Sequence, residues 1–353
     1  MTKPFSSPVT ARFWWLQAGR QLSVLVSRRG SVVALCLTVL LILMSGISLA
    51  YGVTGLNPWL ALKAVIGHGD PMHLFLIQEL RFPRLLAGLL TGAAFGLGGC
   101  MLQTLARNRL ATPGVIGIDN GATAFAVASI VAVSTSLAPS ALALSGAATA
   151  AALAFALGGG AGARGYRFIV VGIGIGALFG ALTNLMLARS SIDAANQAYP
   201  WTVGSLNARS PASIQLLAIG LLIGLPLAKI LGRTLEVLRF SDSVAIGLGV
   251  RIRLARVQIL MLTVLLTALA VAVAGPVGLI ALLAPEAARY LVGQRGVPIV
   301  TSALAGALLM ILADWVGRTW FAPIEIPVGV VTAVIGGPYL LWILLRQPVR
   351  KSL

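Results

Sequence analysis

Residues 88–99 read GLLTGAAFGLGG, and residues 171–182 read VGIGIGALFGAL. Neither stretch contains a charged residue, and small residues recur in both at short, helix-compatible intervals. Lipid tails are as apolar as leucine, so small residues are what allow helix backbones to approach closely inside a bilayer. The two stretches therefore predict tightly packed transmembrane helices.

The composition of the whole chain supports the same interpretation. Of its 353 residues, 58% are hydrophobic and only 10% are charged, whereas a soluble domain usually carries about 25% charged residues. Nine acidic residues are too few to solvate a globule of this size. We therefore expect an integral membrane protein with many spans and little soluble mass.

The net charge of +17 does not indicate a nucleic-acid partner. The basic residues lie in short tracts between apolar runs, as is typical of cytoplasmic loops beside anionic lipid headgroups. We expect membrane lipid, and no nucleic acid, as a partner.

Ten apolar runs are candidates for membrane spans, which need about 20 residues each. They cover 32–52, 84–105, 115–135, 139–158, 167–188, 212–231, 257–275, 279–293, 298–316 and 328–346. The positive-inside rule places the N-terminus in the cytoplasm, and an even number of spans returns the C-terminus to the same side. The prediction is an all-α, multi-pass protein of the bacterial inner membrane with both termini cytoplasmic.

Three regions follow from this topology: a cytoplasmic extension (1–30), a transmembrane domain (31–347) and a cytoplasmic tail (348–353). Within the extension, the stretch 12–26 mixes aromatic residues with arginine. It fits a segment lying on the membrane surface and equally a disordered tail.

Motifs for catalysis and metal binding are absent from the sequence. The chain has no phosphate-binding G-x-x-x-x-G-K-[ST], no HExxH and no CxxC,. Cys36 and Cys100 lie inside apolar runs, while His68 and His73 stand in a loop with weak ligand spacing. We expect no enzymatic activity and no metal or cofactor in this chain, and the scarcity of intramembrane charge indicates an energy source outside it.

Outer-face arginines run against the positive-inside bias. Arg81 and Arg84 flank Phe82-Pro83 before the second span, and Arg318 follows the ninth near Asp314, which is placed to hold it. Arginine suits bidentate pairing with a partner's carboxylates. Snorkelling to lipid headgroups explains these residues equally well.

Three further stretches are predicted to lie at breaks between or within helices. Residues 103–117, QTLARNRLATPGVIG, predict a tight cytoplasmic turn. Residues 239–256 are long enough for two short helices with a glycine break at 247–249, and favour the docking of a soluble partner over a bare loop. Residues 274–289, AGPVGLIALLAPEAAR, predict a broken helix, in which Glu286 and Arg289 are spaced to form an ion pair.

Taken together, RFPR, QTLARNRLATPGVIG, GLGV, AGPVGLIALLAPEAAR and the tail AD-x-x-x-R…APIEIPVGVVT resemble the permease subunits of ABC importers for ferric siderophores, haem and vitamin B12. The resemblance covers about residues 30–347. It implies the fold of the vitamin B12 importer permease, a type II importer. It also implies a second permease subunit, identical or homologous, two ATPase subunits that carry ATP and Mg²⁺, and a periplasmic substrate-binding protein.

The resemblance also implies roles for individual residues. The binding protein docks on Arg81, Arg84 and Arg318, and the ATPase couples through Asp242, Ala245, Gly247, Gly249 and Val250. The pore is lined by Gly172, Gly176, Gly180 and Asn184, although helix packing also explains these glycines. The cytoplasmic turn or gate contains Asn108, Pro113 and Gly114. Two positions depart from the family pattern, with Glu286 in place of histidine and Ser241 in place of an acidic residue.

The cargo suggested by the resemblance is a ferric siderophore. Residues 201–207, WTVGSLN, look like the siderophore branch and favour a catecholate. Haem or vitamin B12 is the alternative cargo, and a secondary transporter is the alternative class. A channel or a membrane enzyme is less favoured, since filter motifs and catalytic groups are missing.

Overall fold

The computed structural model describes residues 13–18, 22–52, 55–131, 138–158, 166–293 and 296–346. Its strands and helices are β1 (Phe13–Ala18), β2 (Leu22–Ser27), α1 (Arg28–Ala50), α2 (Pro58–Val65), α3 (Pro71–Phe75), α4 (Phe82–Leu105), α5 (Ile118–Val131), α6 (Pro139–Leu157), α7 (Tyr166–Ala188), α8 (Ile192–Val203), α9 (Pro211–Leu238), α10 (Asp242–Gly247), α11 (Ile252–Ala274), α12 (Gly278–Val292), α13 (Ile299–Thr319) and α14 (Val328–Arg346). A π-helical turn, Leu76–Arg81, leads into α4, and a 3₁₀ turn, Pro113–Ile116, precedes α5.

The predicted all-α fold is confirmed for the membrane domain. A helix occupies each of the ten predicted spans, namely α1, α4 to α7, α9 and α11 to α14. Among the described residues, 7 helices are long and apolar enough to cross a membrane. The helices α5, α12 and the described apolar part of α14 are shorter.

The N-terminal extension contains a β-hairpin, which neither sequence-based alternative anticipated. Strands β1 and β2 pair antiparallel, with Phe13 opposite Ser27. The Ser27 Oγ then accepts the Gly30 N–H at 3.1 Å and caps α1, because a helix leaves its first N–H groups without partners. Residues 1–12 and the predicted tail 348–353 lie outside the described residues.

Helix α4 occupies the centre of the bundle. It packs most extensively on α13 and also against α11, α12 and α9. A Cβ atom at Gly92 would overlap the Gly306 carbonyl oxygen, and one at Gly99 would overlap the carbonyl of Ala281. The glycines of the 88–99 stretch therefore place α4 in backbone contact with two neighbours, as the sequence predicted.

The chain between α4 and α5 turns back into the bundle. Pro113 is buried and packs beside Gly98 of α4, within 3.8 Å of where a Cβ would lie. Helix α5 consequently begins inside the protein and is shorter than the predicted span 115–135, of which 132–135 lie outside the described residues.

The segment 239–256, predicted to be cytoplasmic, has only partly the predicted structure. Helix α9 continues to Leu238, beyond the predicted end of its span, and α10 provides the first short helix. The predicted second helix is instead the first turn of α11, which starts at Ile252 after the glycine break.

The α4–α13 contact gives a stability prediction. Gly306→Ala should destabilise the protein by about 1–3 kcal/mol, because the added methyl group overlaps the Gly92 carbonyl in a packed core,. Thermal unfolding of the purified protein in detergent would measure the loss.

The matched control is Gly46→Ala in α1, where a Cβ would meet nothing within 4 Å. That variant should unfold at or slightly above the wild-type temperature, since alanine favours helix over glycine. Equal unfolding temperatures for the two variants would contradict the close-packing account.

Candidate functional site

The three arginines predicted to lie on the outer face converge at one end of the bundle. The π-helical turn places Arg81, the first turn of α4 places Arg84, and the last turn of α13 places Arg318. They lie beside the C-terminal end of α1 and the loop after α13. We call Arg81, Arg84, Arg318 and their carboxylates Asp314 and Glu325 the outer cluster.

Asp314 is the acidic centre of the outer cluster. Arg84 Nη2 lies 3.0 Å from Asp314 Oδ1, and Arg318 Nε lies 3.0 Å from Asp314 Oδ2. Arg84 also reaches Glu325 through Nη1 at 2.8 Å. The Asp314 side chain is 7% exposed and that of Glu325 is 39% exposed. The expectation that Asp314 holds Arg318 is thus confirmed, and Arg84 shares the same carboxylate.

The remaining bonds of the outer cluster tie it to α1. Arg81 Nη1 donates to the carbonyl oxygens of Leu49 at 2.6 Å and Ala50 at 3.1 Å. Arg318 Nη2 donates to Ser48 Oγ at 2.7 Å. The last carbonyls of a helix lack intrahelical hydrogen-bond donors, so the arginines supply donors to the end of α1. All three predicted docking residues are therefore brought together, but each also bonds within the chain.

Sequence reasoning did not single out a fourth arginine at the same end, Arg209. Its Nε donates to the Ser205 carbonyl at 2.8 Å, and its guanidinium lies 4.2 Å from the centre of the Trp201 ring. Its Nη2 is buried and has no hydrogen-bond partner among the described residues. Burial, and then the charge of Arg84, lower the pKa of Arg209 to about 10,. The sequence feature that could have identified Arg209 was its position as a further arginine in a predicted outer loop.

A cavity of about 270 Å³ connects these groups. It is lined by all four arginines, together with Glu79 and Glu325 and with residues of the loop after α8. The lining is rich in hydrogen-bond donors that suit carboxylate or phosphate oxygens. The pocket can therefore receive an anionic group.

The predicted pore residues divide into two pairs. Gly172 and Gly176 are buried, with Gly172 against the carbonyl of Val115 and Gly176 beside Asn120. At Gly180 a Cβ would meet nothing within 4 Å, and Asn184 is exposed. Packing accounts for the first pair and the second pair lies on an open face, and the pore-lining role of all four stays a prediction.

The predicted cytoplasmic turn is held by its own side chains. Asn108 Oδ1 accepts the Leu110 N–H at 2.9 Å, which is the turn-stabilising bond that asparagine commonly makes,. Pro113 starts the 3₁₀ turn. At Gly114 a Cβ would overlap a carboxylate oxygen of Asp119, so that side chain would have to move to admit a larger residue.

Arg107 connects this turn to the segment before α11. It has a positive φ of 50°, an uncommon conformation for a residue with a side chain,. Its Nε donates to the Leu238 carbonyl at 2.9 Å, and its Nη2 lies 3.0 Å from Asp242 Oδ1 and also bonds Phe240 O. A backbone strain of this kind is retained where surrounding contacts fix it.

Asp242 is the acidic centre of the predicted coupling segment. Arg256 donates to both of its carboxylate oxygens, at 3.0 and 2.9 Å, and this bond, followed by Arg107, holds the pKa of Asp242 below its usual range. Ser241, the departure from the family pattern, caps α10 by accepting the Val244 N–H at 3.4 Å.

The other predicted coupling residues shape the bend that follows α10. Ala245 is buried, and its carbonyl accepts the Val250 N–H at 3.0 Å. Gly249 has a φ of +81°, and neither Gly247 nor Gly249 has an atom within 4 Å of a Cβ position. The bend thus depends on the glycine conformation at 249.

Glu286, the second departure, joins two elements. It pairs with Arg289 at 3.3 Å, as the spacing predicted, and with Arg109 of the cytoplasmic turn at 3.1 Å. Arg289 in turn donates to Gln103 at the end of α4. The glutamate therefore fastens the turn to α12.

One buried carboxylate was missed by sequence reasoning. Asp119 lies in the first turn of α5, and its Oδ1 is buried without a hydrogen-bond partner among the described residues. Sequence reasoning missed it because a single acidic residue in a mostly apolar run does not change the prediction of a membrane-spanning helix. No cluster of metal-ligating residues occurs within the part of the chain that the structure describes.

Comparisons with known proteins agree with this architecture. The sequence model of the FecCD transport family matches residues 38–346. The chain is 36% identical over 330 residues to the Fe(3+)-citrate import system permease protein YfmE of Bacillus subtilis, covering 92% of this chain and 98% of that protein. It is 33% identical over 329 residues to the ferric enterobactin transport system permease protein FepG of Escherichia coli, covering 93% and 100%.

A solved structure shares the fold. It is described as an inward-facing conformation of a metal-chelate type ABC transporter, and it superposes with a TM-score of 0.77 at 26% identity, covering 90% of this chain and 99% of that one. The vitamin B12 importer-like permease fold predicted from the motifs is thereby confirmed.

The outer cluster gives a second prediction. Asp314→Asn should destabilise the protein by about 3–5 kcal/mol, because it leaves two buried guanidinium groups short of their shared carboxylate,. Thermal unfolding in detergent would report the change.

Glu325→Gln serves as the control, since it removes one ion pair from a carboxylate that is 39% exposed. Its cost should stay within about 1 kcal/mol. Similar losses for the two variants would show that Asp314 is not the centre of the cluster.

Proposed function

This chain belongs to the FecCD transport family, and on that premise we propose that it is the membrane-spanning permease subunit of an ATP-driven importer. Its cargo is a ferric siderophore, which it passes from periplasm to cytoplasm across the bacterial inner membrane. The family supports a transport permease, and ATP with Mg²⁺ binds on separate ATPase subunits.

The observation that carries this proposal is the connection between α10 and the cytoplasmic turn. Around α10 the side chains of Phe240, Val244, Ile246 and Leu248 are exposed, although the segment is flanked by arginines. Exposed apolar side chains grouped on a polar segment indicate a protein partner. An ATPase docked there would act directly on Asp242.

A movement of α10 caused by the ATPase would have a physical route from Asp242 to α7. Arg107 transmits a displacement of α10 to the turn, which continues into the 3₁₀ turn Pro113–Ile116. That 3₁₀ turn packs against Gly172 of α7. A push on α10 therefore reaches the helix that we expect to line the pore.

The pore itself requires a second permease subunit. The open face of α7 presents Gly180, Asn184 and exposed leucines at 178, 182 and 185. A second copy or a homologous permease facing it would enclose a wide, uncharged passage suited to a bulky anionic chelate. The homodimer and the heterodimer both fit this face.

The cargo is argued from the named relatives. They include permeases for Fe(3+)-citrate and for ferric enterobactin, which supports an iron chelate over haem or vitamin B12. The catecholate preference rests on residues 201–207. In the structure this stretch anchors the outer loop, with Trp201 against Arg209, so the preference remains a prediction.

Co-purification tests the proposed assembly. The tagged chain, extracted from its native membrane in mild detergent, should bring down an ATPase. A second, different permease in the complex would identify a heterodimer. Recovery of the chain alone, still transporting without ATP, would favour a secondary transporter.

The bend after α10 gives a prediction on coupling. Gly249→Val should lower the amount of iron chelate transported per ATP hydrolysed, because a β-branched residue at a φ of +81° is strained by roughly 1–2 kcal/mol,. Uptake and phosphate release by the reconstituted complex would measure this ratio.

Gly249→Asn is the control, because asparagine tolerates the left-handed conformation. It should retain most of the wild-type ratio. A wild-type ratio in Gly249→Val would remove this bend from the coupling route.

A further inference from the structure

A second cavity, of about 210 Å³, lies at the other end of α4 from the outer cluster. Helices α4, α9 and α12 end beside it, and α13 begins beside it. Among the described residues that line it none is acidic, and four are arginines, at positions 107, 109, 239 and 289. The cavity therefore concentrates positive charge at the end of the bundle that is predicted to be cytoplasmic.

The carboxylates that pair with these arginines are shared. Asp242 lies 3.0 Å from Arg107 and also binds an arginine outside the cavity. Glu286 lies 3.1 Å from Arg109 and 3.3 Å from Arg289. Because each carboxylate carries one negative charge, neither neutralises the two arginines that it binds.

A third carboxylate beside the cavity, Glu236, does not close this difference. Its Oε1 accepts the Val297 N–H at 3.4 Å. Among the described groups named so far, five arginines meet three carboxylates, so positive charges outnumber negative ones by two. A ligand with one or two negative charges would balance the cavity.

The guanidinium groups are within reach of such a ligand. The side chains of Arg107 and Arg109 are 43% and 45% exposed, and Arg239 is exposed as well. Arg289 is 11% exposed and donates to Gln103, so it forms a fixed part of the wall. Guanidinium groups donate in planar forks that match the oxygens of a phosphate group.

The start of α13 adds a second source of positive potential. This helix has 21 residues, and no side chain caps its first N–H groups. The residues just before it, 296–298, belong to the cavity lining. The N-terminal end of a helix carries a partial positive charge and is a favourable position for phosphate.

The surroundings of the cavity place it at the edge of the bilayer. Tyr290 and Leu291 of α12 and Val300 of α13 follow the lining residues closely in the chain, and their side chains are exposed. Exposed apolar and tyrosine side chains at the end of membrane-spanning helices are typical of the lipid interface. The phosphates of lipid headgroups lie at this level, and the cytoplasmic leaflet is the one with anionic lipid.

We propose that this cavity binds the phosphate group of an anionic phospholipid, through Arg109, Arg239 and the start of α13. The site depends on the fold and on the predicted orientation, and not on the transport function. Because Arg109 belongs to the turn between α4 and α5, a bound phosphate would hold that turn against α13.

The test measures lipid binding to the purified, delipidated full-length chain, with any subunits that co-purify, by native mass spectrometry in detergent. The probes are dioleoyl phosphatidylglycerol and dioleoyl phosphatidylcholine, which share their acyl chains and a phosphate but differ in net charge. Phosphatidylglycerol should bind the wild-type chain more tightly. Arg239→Gln should weaken that binding about tenfold, because a charge-assisted hydrogen bond is lost, and leave phosphatidylcholine unaffected.

Arg253→Gln is the matched control. Arg253 is an exposed arginine in the first turn of α11, at the same end of the bundle but outside the described lining of the cavity. This variant loses the same charge and should bind phosphatidylglycerol like the wild type. Equal losses in the two variants would overturn the inference, since they would indicate a general attraction to a basic surface.

Thermal unfolding of each variant separates weakened binding from misfolding. If Arg239→Gln does not fold, Arg109→Gln takes its place, with the same expected loss. Arg239→Lys keeps the charge without the planar fork and should retain part of the affinity. Wild-type preference for phosphatidylglycerol in every folded cavity variant would overturn the inference.

Two further measurements distinguish the lipid from other anions. Inorganic phosphate that binds in an Arg239-dependent manner, while the two lipids bind equally, would overturn the lipid assignment in favour of a soluble phosphate. A preference for phosphatidylglycerol that disappears whenever an ATPase subunit is bound would assign the cavity to that protein instead. Each of these outcomes leaves the importer function intact.

Discussion

Backbone contact between α4 and α13 is the constraint on which the rest of the structure depends. Gly92 and Gly306 let the two helices meet without intervening side chains, in a solvent that offers no hydrophobic drive for helix association. Because the helices are fixed together, Arg84 at the start of α4 meets Asp314 near the end of α13. At the other end, Gln103 of α4 meets Arg289 of α12.

Helix α4 therefore carries a different cluster of side chains at each of its ends. The end that holds the outer cluster is a network of arginines around a buried carboxylate, with a cavity beside it. The Nη2 of Arg209 there has no hydrogen-bond partner among the described residues. The inner end is a turn whose two arginines bind different elements, Arg107 the coupling segment and Arg109 Glu286 of α12. We propose that a movement of α10 is passed to the turn and on to α7, while α4 keeps the outer cluster in place.

The sequence was informative where the physics is local. Apolar runs predicted the ten spans, while the orientation inferred from charge asymmetry stays a prediction. Glycine spacing predicted close packing, and the i,i+3 spacing of Glu286 and Arg289 predicted their ion pair. The hairpin of β1 and β2 was missed, because arginines among aromatic residues also suit a membrane-surface segment.

Contacts between residues far apart in the chain could not be predicted from the sequence. Arg84 and Asp314 lie 230 positions apart, so their pairing depends on how α4 and α13 pack. The same is true of Arg107 with Asp242, and of Gly172 with the turn at Val115. The sequence could not single out Arg209, because its contact with the Trp201 ring and the burial of its Nη2 without a partner in the described part of the chain depend on the fold.

The measurement that tests the central claim most directly is uptake of a radiolabelled ferric siderophore into proteoliposomes holding the purified complex and its binding protein. The account predicts uptake with ATP, and none when the phosphate-binding lysine of the ATPase is replaced by alanine. Uptake that persists with the inactive ATPase, or that follows an ion gradient instead, would contradict it.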